Sequence, residues 1–401
     1  MKRIMSLWIL GTVMSCLFAC NPAPEILLDA TKTIPQASTI APEATAAIPQ
    51  VTRTAIWFAA ASPTTSNVSV SFPFSERGPY WTGNRVYTFV DESRNGRRIE
   101  VQIYYPALKV ANEQGGIITR NAAPDLSGAP YPLILTGPDT GGKLLQSHLA
   151  SHGFIMAIVR YPEYYDSWDF GVIDFPLDML FVLDQISSNS LEGLMDVIDS
   201  DHVGVVGYSW EGFYTQMLSG VRIDPENYLS FCKQVPAMEL EISSEYRHYV
   251  CNLSKKWDEF TAHVGDEITV SDDGLWQPIT DERIRALMPM AEYGTWLYGE
   301  RGLAMADRPI FIIAPTEDEY IPYPETAYVF EHLGTPEKYL VSFIGKTHLM
   351  VEEYEQAARV RHFVTAFFGY YLQGREEYAR YFSEDFVSQF DDLFWGVYPD
   401  K

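Results

Sequence analysis

Positive charge is scarce in this chain of 401 residues, where 29 Lys and Arg stand against 53 Asp and Glu and leave a formal net charge of −24. Nucleic acids and anionic lipid surfaces are bound by clustered Lys and Arg, so we expect neither as a partner held by charge. The sequence also lacks an internal repeat, a phosphate-binding glycine loop and a group of residues with metal-ligand spacing, so we expect no metal and no cofactor. Hydrophobic residues make up 47% of the chain, which excludes a wholly disordered protein.

Long apolar runs are missing as well. Residues 4–19 are almost wholly apolar and follow the basic Met1-Lys2-Arg3, but this run is too short for a spanning helix and is typical of a secretory signal peptide. The stretch Leu17-Phe18-Ala19-Cys20 resembles the bacterial lipoprotein processing box. That resemblance implies a signal peptide over 1–19 and a lipid on Cys20. The protein would then be anchored in the cell membrane or the outer membrane, facing the periplasm or the extracellular side. The alternative is an ordinary cleaved signal peptide.

Cysteine is rare too. Of the four cysteines, Cys16 and Cys20 belong to the signal peptide and its processing site. The remaining two, Cys232 and Cys251, lie in one segment, and in an oxidising compartment such a pair suggests one disulfide. Their separation and the absence of a CxxC pair do not fit a zinc site.

Composition divides the rest of the chain into a tether and a domain. Residues 20–75 are rich in Ala, Pro, Thr and Ser with few charges, which predicts a flexible tether, because little apolar area is available to offset the chain entropy. Residues 76–395 are predicted to form one α/β domain. Within it, about 222–280 interrupts the alternation of strands and helices, which predicts an inserted cap or, alternatively, a surface excursion without a functional role.

Short apolar runs alternate with helical periodicity along the predicted domain. Strands are predicted over 98–105, ended by Pro106, and over 132–135, 154–159, 202–207, 309–314 and 339–344, with 285–290 as the end of a strand. Helices are predicted over 143–151, 174–188, 211–219, 324–333 and 351–373, with a shorter helical piece over 376–391. Strands that are apolar throughout and separated by helices indicate the α/β class, with a mostly parallel central sheet and helices on both faces.

A serine lies at the junction of a predicted buried strand and a predicted helix, in Gly207-Tyr208-Ser209-Trp210-Glu211-Gly212. A sharp turn at this point would expose the Ser209 hydroxyl and aim the next backbone N–H at a developing oxyanion. The usual G-x-S-x-G spacing is altered, because Glu211 occupies the position of the second glycine and Gly212 follows it. A serine after a strand also fits a helix N-cap, so the motif by itself leaves both interpretations open.

A nucleophilic serine needs a base and an acid that orients the base, each on a loop after a strand. Among the eight histidines, His348 lies directly after the last strand predicted above, whereas the others that follow Ser209 fall in the predicted cap or in predicted helices. The loop after the preceding predicted strand carries Asp318, flanked by Glu317 and Glu319. Asp318 is the predicted acid, because an apolar residue and a proline follow it three and four positions later, and the two glutamates remain alternatives.

The oxyanion needs two donors. The backbone N–H of Trp210 is predicted to be the first. The second is expected from the turn over 136–142, where Pro138 has no N–H and the candidates are therefore Asp139 and Thr140.

At this point the chain resembles a known group within the α/β-hydrolases, the branch of platelet-activating-factor acetylhydrolase-like, dienelactone hydrolase-like and related polyester hydrolases. The resemblance covers about residues 80–390 except the cap, and its matching segments are 96–107, 131–135, 149–154 and 367–374. It implies an α/β-hydrolase fold with a triad of Ser209, Asp318 and His348. It also implies cofactor-free hydrolysis of a carboxylic ester, in a small molecule, a lipid or a polyester, through an acyl-enzyme.

Two positions depart from the family pattern: Gly137-Pro138 replaces His-Gly in the oxyanion turn, and Glu211 replaces a glycine in the serine motif. Two rival functions therefore stand beside the esterase. One is a peptidase or amidase that uses the same triad, because shared chemistry leaves the choice to the pocket. The other is a non-catalytic, surface-anchored binding protein on a hydrolase fold.

Overall fold

One mixed sheet organises the computed structural model, which describes residues 71–109, 118–138, 140, 143–161, 169–188, 191–234 and 250–399. Its ten strands are β1 Trp81–Asp91, β2 Arg97–Ala107, β3 Ile118–Arg120, β4 Tyr131–Thr136, β5 Ile155–Arg160, β6 Ile198–Tyr208, β7 Ile284–Met290, β8 Ile310–Pro315, β9 Lys338–Phe343 and β10 Leu393–Trp395. The described α-helices are α1 Lys143–Ser151, α2 Gly171–Ser188, α3 Trp210–Met217, α4 Pro225–Gln234, α5 Trp257–Val264, α6 Asp266–Thr269, α7 Thr295–Leu303, α8 Tyr323–His332, α9 Tyr354–Gln373 and α10 Glu384–Val387. Short 3₁₀ helices cover Glu92–Arg94, Leu253–Lys256, His348–Glu352 and Glu376–Tyr381.

The strand order across the sheet is β10-β9-β8-β7-β6-β4-β5-β2-β1-β3. The six strands β5, β4, β6, β7, β8 and β9 are parallel to their neighbours in this run. At one edge β2 pairs antiparallel with both β5 and β1, and at the other β10 pairs antiparallel with β9. The carboxyl ends of the parallel strands therefore meet along one edge of the sheet, where loops from several strands come together.

The apolar runs of the sequence explain why helices cover both faces. In β4, Leu133 and Leu135 contribute to one hydrophobic cluster and Ile134 to another, and all three are fully buried. Successive side chains of a strand point to opposite faces, so a continuous apolar run needs cover on both. Phe213 of α3 belongs to the first cluster and Phe367 of α9 to the second. The α/β class predicted from the sequence is what the structure has.

Two strand predictions need correction. Pro106 does not end the second strand but lies within β2, opposite Thr82 of β1. The partner on the other side, β5, pairs with β2 only from Glu100 to Tyr104, so the missing N–H of Pro106 breaks no pairing with β5. The segment ending at Met290 is not merely the end of a strand but the whole of β7, paired with both β6 and β8.

The amino-terminal boundary also differs from the expected one. Phe72 and Phe74, assigned to the tether, pack on the domain: the Phe72 ring stacks on Phe390 with centroids 4.4 Å apart, and the Phe74 ring lies 4.3 Å from that of Tyr378. The folded domain thus begins a few residues before 76, because Phe72 and Phe74 pack on the hydrophobic cluster that contains Phe367. The predicted signal peptide, Cys20 and most of the tether lie outside the described residues.

The inserted segment lies between α3 and β7, and its described residues carry α4, α5 and α6. Three of its aromatic side chains, Tyr228, Phe260 and Trp276, are buried in the same cluster as α3. A disulfide joins Cys232 of α4 to Cys251. The described part of the insertion is therefore fixed to the core beneath it.

Candidate active site

The backbone turns sharply at Ser209, between β6 and α3. Its φ of 58° and ψ of −116° lie in a region that residues other than glycine rarely adopt, and such strain is common at functional sites. The Ser209 N–H donates to the Met290 carbonyl of β7 at 2.9 Å, which ties the turn to the next strand. A Cβ on Gly207 would overlap the Glu211 carbonyl, and one on Gly212 would come within 2.6 Å of the Met290 oxygen. Two glycines therefore permit the close approach of strand and helix.

Hydrogen bonds link the three residues predicted to form a triad. His348 Nε2 lies 2.9 Å from Ser209 Oγ, and His348 Nδ1 lies 2.7 Å from Asp318 Oδ2. The three residues come from loops after β6, β8 and β9, so the sheet brings together groups that are up to 139 positions apart in the chain. A serine that contacts a histidine held by a carboxylate is the arrangement for nucleophile activation.

The acid is held by its own loop. Asp318 Oδ1 accepts the N–H groups of Tyr320 at 2.9 Å and Ile321 at 2.8 Å, which leaves Oδ2 for His348. The Asp318 side chain is only 2% exposed. The alternative acids have other environments: Glu319 accepts the backbone N–H of His348 at 3.0 Å, and Glu317 is exposed. The geometry thus favours Asp318 over both glutamates as the partner of the imidazole.

Besides the bond to Glu319, two contacts to His348 were not predicted from the sequence. The buried Tyr208 hydroxyl donates to the His348 carbonyl at 2.5 Å, and burial raises the pKa of this tyrosine, so it remains a donor. The exposed Tyr320 ring meets the imidazole edge to face, with centroids 5.1 Å apart. The position of Tyr208 next to the serine was the only available signal, because the contact joins residues 140 positions apart.

The expected oxyanion donors are only partly within the described residues. Trp210 is the first residue of α3, so its backbone N–H belongs to a helix amino terminus, where anions are stabilised. Thr140 is fully buried. Asp139 lies outside the described residues. The Trp210 ring packs edge to face on Tyr293, with centroids 5.9 Å apart.

Glu211, which replaces the second glycine of the serine motif, is buried beside Tyr161 and Gly137. Glu211 is 2% exposed, and the Tyr161 hydroxyl donates to its Oε1 at 3.2 Å. A Cβ on Gly137 would overlap Glu211 Cγ and the Tyr161 oxygen. Glu211 therefore packs against Gly137, directly after β4. A side chain at position 137 would clash with it, so the glycine makes room for Glu211.

A second acidic side chain is buried close to the serine turn. Glu292 lies two residues after β7 and is fully buried, and within the part of the chain that the structure describes no other residue donates a hydrogen bond to its carboxyl oxygens. Burial is the main reason that its pKa rises, to about 8, and the charges of Glu325 and Asp318 add to the effect. At neutral pH this side chain is therefore a neutral acid.

The described residues contain no group of three or more His, Cys, Asp or Glu side chains arranged to hold a metal ion. Within the same residues, no helix has the length and apolarity needed to cross a membrane. Comparison with known proteins gave no match to a protein-family model or to a curated protein sequence.

Proposed function

We propose that this protein is a serine hydrolase that cleaves carboxylic esters, on an α/β-hydrolase fold. The chain of hydrogen bonds from Ser209 through His348 to Asp318 carries the proposal. The order Ser, Asp, His along the chain, each after a strand of one largely parallel sheet, is the order that the α/β-hydrolase fold uses. The strained backbone of Ser209 supports the same assignment, since a helix N-cap needs no such conformation.

In the proposed reaction, Ser209 Oγ attacks the ester carbonyl while His348 Nε2 takes its proton. Asp318 keeps the Nδ1 proton of the imidazole in place and stabilises the imidazolium that forms. The backbone N–H of Trp210, together with that of Thr140 or Asp139, receives the oxyanion. His348 then gives the proton to the leaving alcohol, and water hydrolyses the acyl-Ser209 ester by the same steps in reverse.

A fluorophosphonate probe tests this proposal, because it phosphonylates only an activated serine. Mass spectrometry of the folded protein should find one adduct, on Ser209, that is lost in His348→Ala. A folded protein without the adduct would contradict the hydrolase and favour the binding protein. Rates on an aryl ester and on the matching anilide would then separate an esterase from a peptidase or amidase.

We also propose that the protein works outside the cytoplasm, anchored by a lipid on Cys20. The disulfide between Cys232 and Cys251 supports an oxidising compartment. A lipid adduct on the amino-terminal peptide, absent from a Cys20→Ser variant, is the expected result of mass spectrometry on the membrane fraction. An unmodified Cys20 would contradict the anchor and leave the hydrolase proposal intact.

A further inference from the structure

The carboxyl group of Glu211 is unusual in its burial. It follows the serine turn in the first helical turn of α3, yet only 2% of the residue is exposed. A buried carboxyl group is costly unless polar partners surround it. One such partner is the Tyr161 hydroxyl, which donates to Glu211 Oε1 at 3.2 Å from the end of β5.

The ring of Tyr161 is fixed by packing. It stacks on Phe175 of α2 with centroids 3.7 Å apart, and meets Tyr214 of α3 edge to face at 6.2 Å. A ring held on two sides leaves its hydroxyl little freedom. The position of the Tyr161 oxygen is therefore set by α2 and α3.

Glu211 and Tyr161 meet directly beneath the turn after β4. A Cβ built on Gly137 would overlap both Glu211 Cγ and the Tyr161 oxygen, and would lie 2.7 Å from Glu211 Oε1. The backbone of Gly137, the first residue of this turn, is thus in close contact with the two side chains. The next residue, Pro138, has no N–H, so the donors of this turn must come from later positions.

We propose that Glu211 and Tyr161 are positioning residues, which hold the turn after β4 at the distance from Ser209 that oxyanion binding requires. This inference rests on the proposed hydrolase function. A misplacement of about 1 Å costs about a hundredfold in rate, and the loss of one oxyanion donor costs about a hundred- to a thousandfold. The carboxyl side chain at the altered position of the motif is, on this view, a support for the oxyanion turn.

Tyr161→Phe tests the hydroxyl while keeping the ring and its stacking. In the full chain, kcat for 4-nitrophenyl acetate should fall by about ten- to a hundredfold, with KM changed less than about threefold. Glu211→Met, similar in size and with only a weakly accepting sulfur, should lose as much. Because the two residues act as a unit, the double variant should be no slower than either single one. Glu211→Gln keeps an acceptor and should recover most of the lost rate.

Comparing the rates on an oxygen ester and on its thionoester distinguishes a positioning role of Tyr161 from a packing role. Sulfur accepts hydrogen bonds more weakly than oxygen, so the matching thionoester depends less on oxyanion donors. Tyr161→Phe should therefore slow the oxygen ester more than the thionoester. The matched control is Tyr87→Phe, because the Tyr87 hydroxyl donates to the Glu192 carbonyl, far from the serine turn in the sheet order, and its removal should leave both rates unchanged.

Three results would overturn the inference. The first is that Tyr161→Phe keeps the parent rates on both esters. The second is that it slows both equally with a lowered unfolding temperature, which would indicate packing alone. The third is that Ser209→Ala hydrolyses the ester at the parent rate, and only this result would also overturn the proposed function.

Discussion

The three adjacent acids in the loop after β8 make different contacts in the candidate site. Asp318, Glu317 and Glu319 are adjacent in sequence, but only Asp318 bonds to the imidazole, while Glu319 holds the His348 backbone. The difference follows from the turn, in which Asp318 Oδ1 accepts two backbone N–H groups and so orients its second oxygen.

Asp318→Asn should therefore lower kcat on an aryl ester by about ten-thousandfold, because an amide no longer holds the histidine in the required tautomer. Steady-state kinetics at neutral pH measures the effect. The matched control is Glu317→Gln, which alters an exposed side chain beside the site and should leave kcat unchanged. A large loss in Glu317→Gln together with a small one in Asp318→Asn would reassign the acid.

The buried carboxyl group of Glu292 should make the free energy of unfolding depend on pH. In the unfolded chain this carboxyl group loses its proton near its ordinary pKa of 4.5, whereas in the folded protein burial raises the pKa to about 8. Between these values the folded state binds more protons, so its free energy of unfolding falls as pH rises, by about 1.4 kcal/mol per pH unit. The loss should be complete above about pH 8.

Glu292→Gln keeps the shape and removes the titration. The difference in free energy of unfolding between this variant and the parent should therefore grow in favour of the variant from pH 5 to pH 8. Urea unfolding at several pH values measures it. A difference that stays constant across this range would show that Glu292 does not titrate there.

The sequence permitted the prediction that Ser209, Asp318 and His348 lie close together, since each follows a buried strand within five residues. It did not permit the prediction of Tyr208 or Glu292 as neighbours of the site. Tyr208 reaches a residue 140 positions away, and Glu292 is buried in the folded domain, where Gly212 of α3 lies close to it. Such contacts depend on tertiary structure and leave no local pattern.

Among the secondary-structure elements, the strands of the parallel core were predictable because each contains a short continuous apolar run. The edge strands β1, β3 and β10 were not, because a half-exposed or three-residue strand has too weak a pattern. The position of the arm formed by residues 71–76 was also missed. Its neighbours in the sequence resemble a tether, and only the fold supplies the aromatic partners of Phe72 and Phe74.

Buried histidines lie under and beside this arm. The Phe74 N–H donates to His362 Nδ1 at 3.2 Å, and the two rings stack 5.4 Å apart. Burial lowers the pKa of His362 to about 3. In α1, burial and then the neighbouring His152 lower the pKa of His148 to about 2. Both histidines are therefore neutral in the folded protein, and protonation of His362 would remove the acceptor of the arm.

Acid should accordingly destabilise the protein. A histidine in the unfolded chain takes up its proton near pH 6.5, far above the pKa of either residue in the folded state. The free energy of unfolding should fall as pH drops below 6.5, by about 1.4 kcal/mol per pH unit for each histidine. His362→Gln should reduce this slope in urea unfolding. An equal slope in the parent and in His362→Gln would contradict the role of His362.

At the scale of the whole molecule, residues 67–401 form one compact unit, and the candidate triad uses three separate strands of its sheet. The Ser209 contact to His348 spans 139 positions, across the inserted segment and β7. No partly folded state that lacks β9 can bring the serine and the histidine together. Reactivity toward a fluorophosphonate should therefore disappear at the same urea concentration as the native circular dichroism. Loss of labelling at a urea concentration well below that of unfolding would instead show that the site opens locally.

The same distance has a consequence for any shortened form of the chain. A cut within the described part of the insertion would leave the nucleophile on one piece and the base and acid on the other, so neither piece alone would carry a working centre. Reassembly of the two through the shared sheet would restore it. Hydrolysis by the proposed centre would therefore report that the chain has been made at least as far as His348 and has folded.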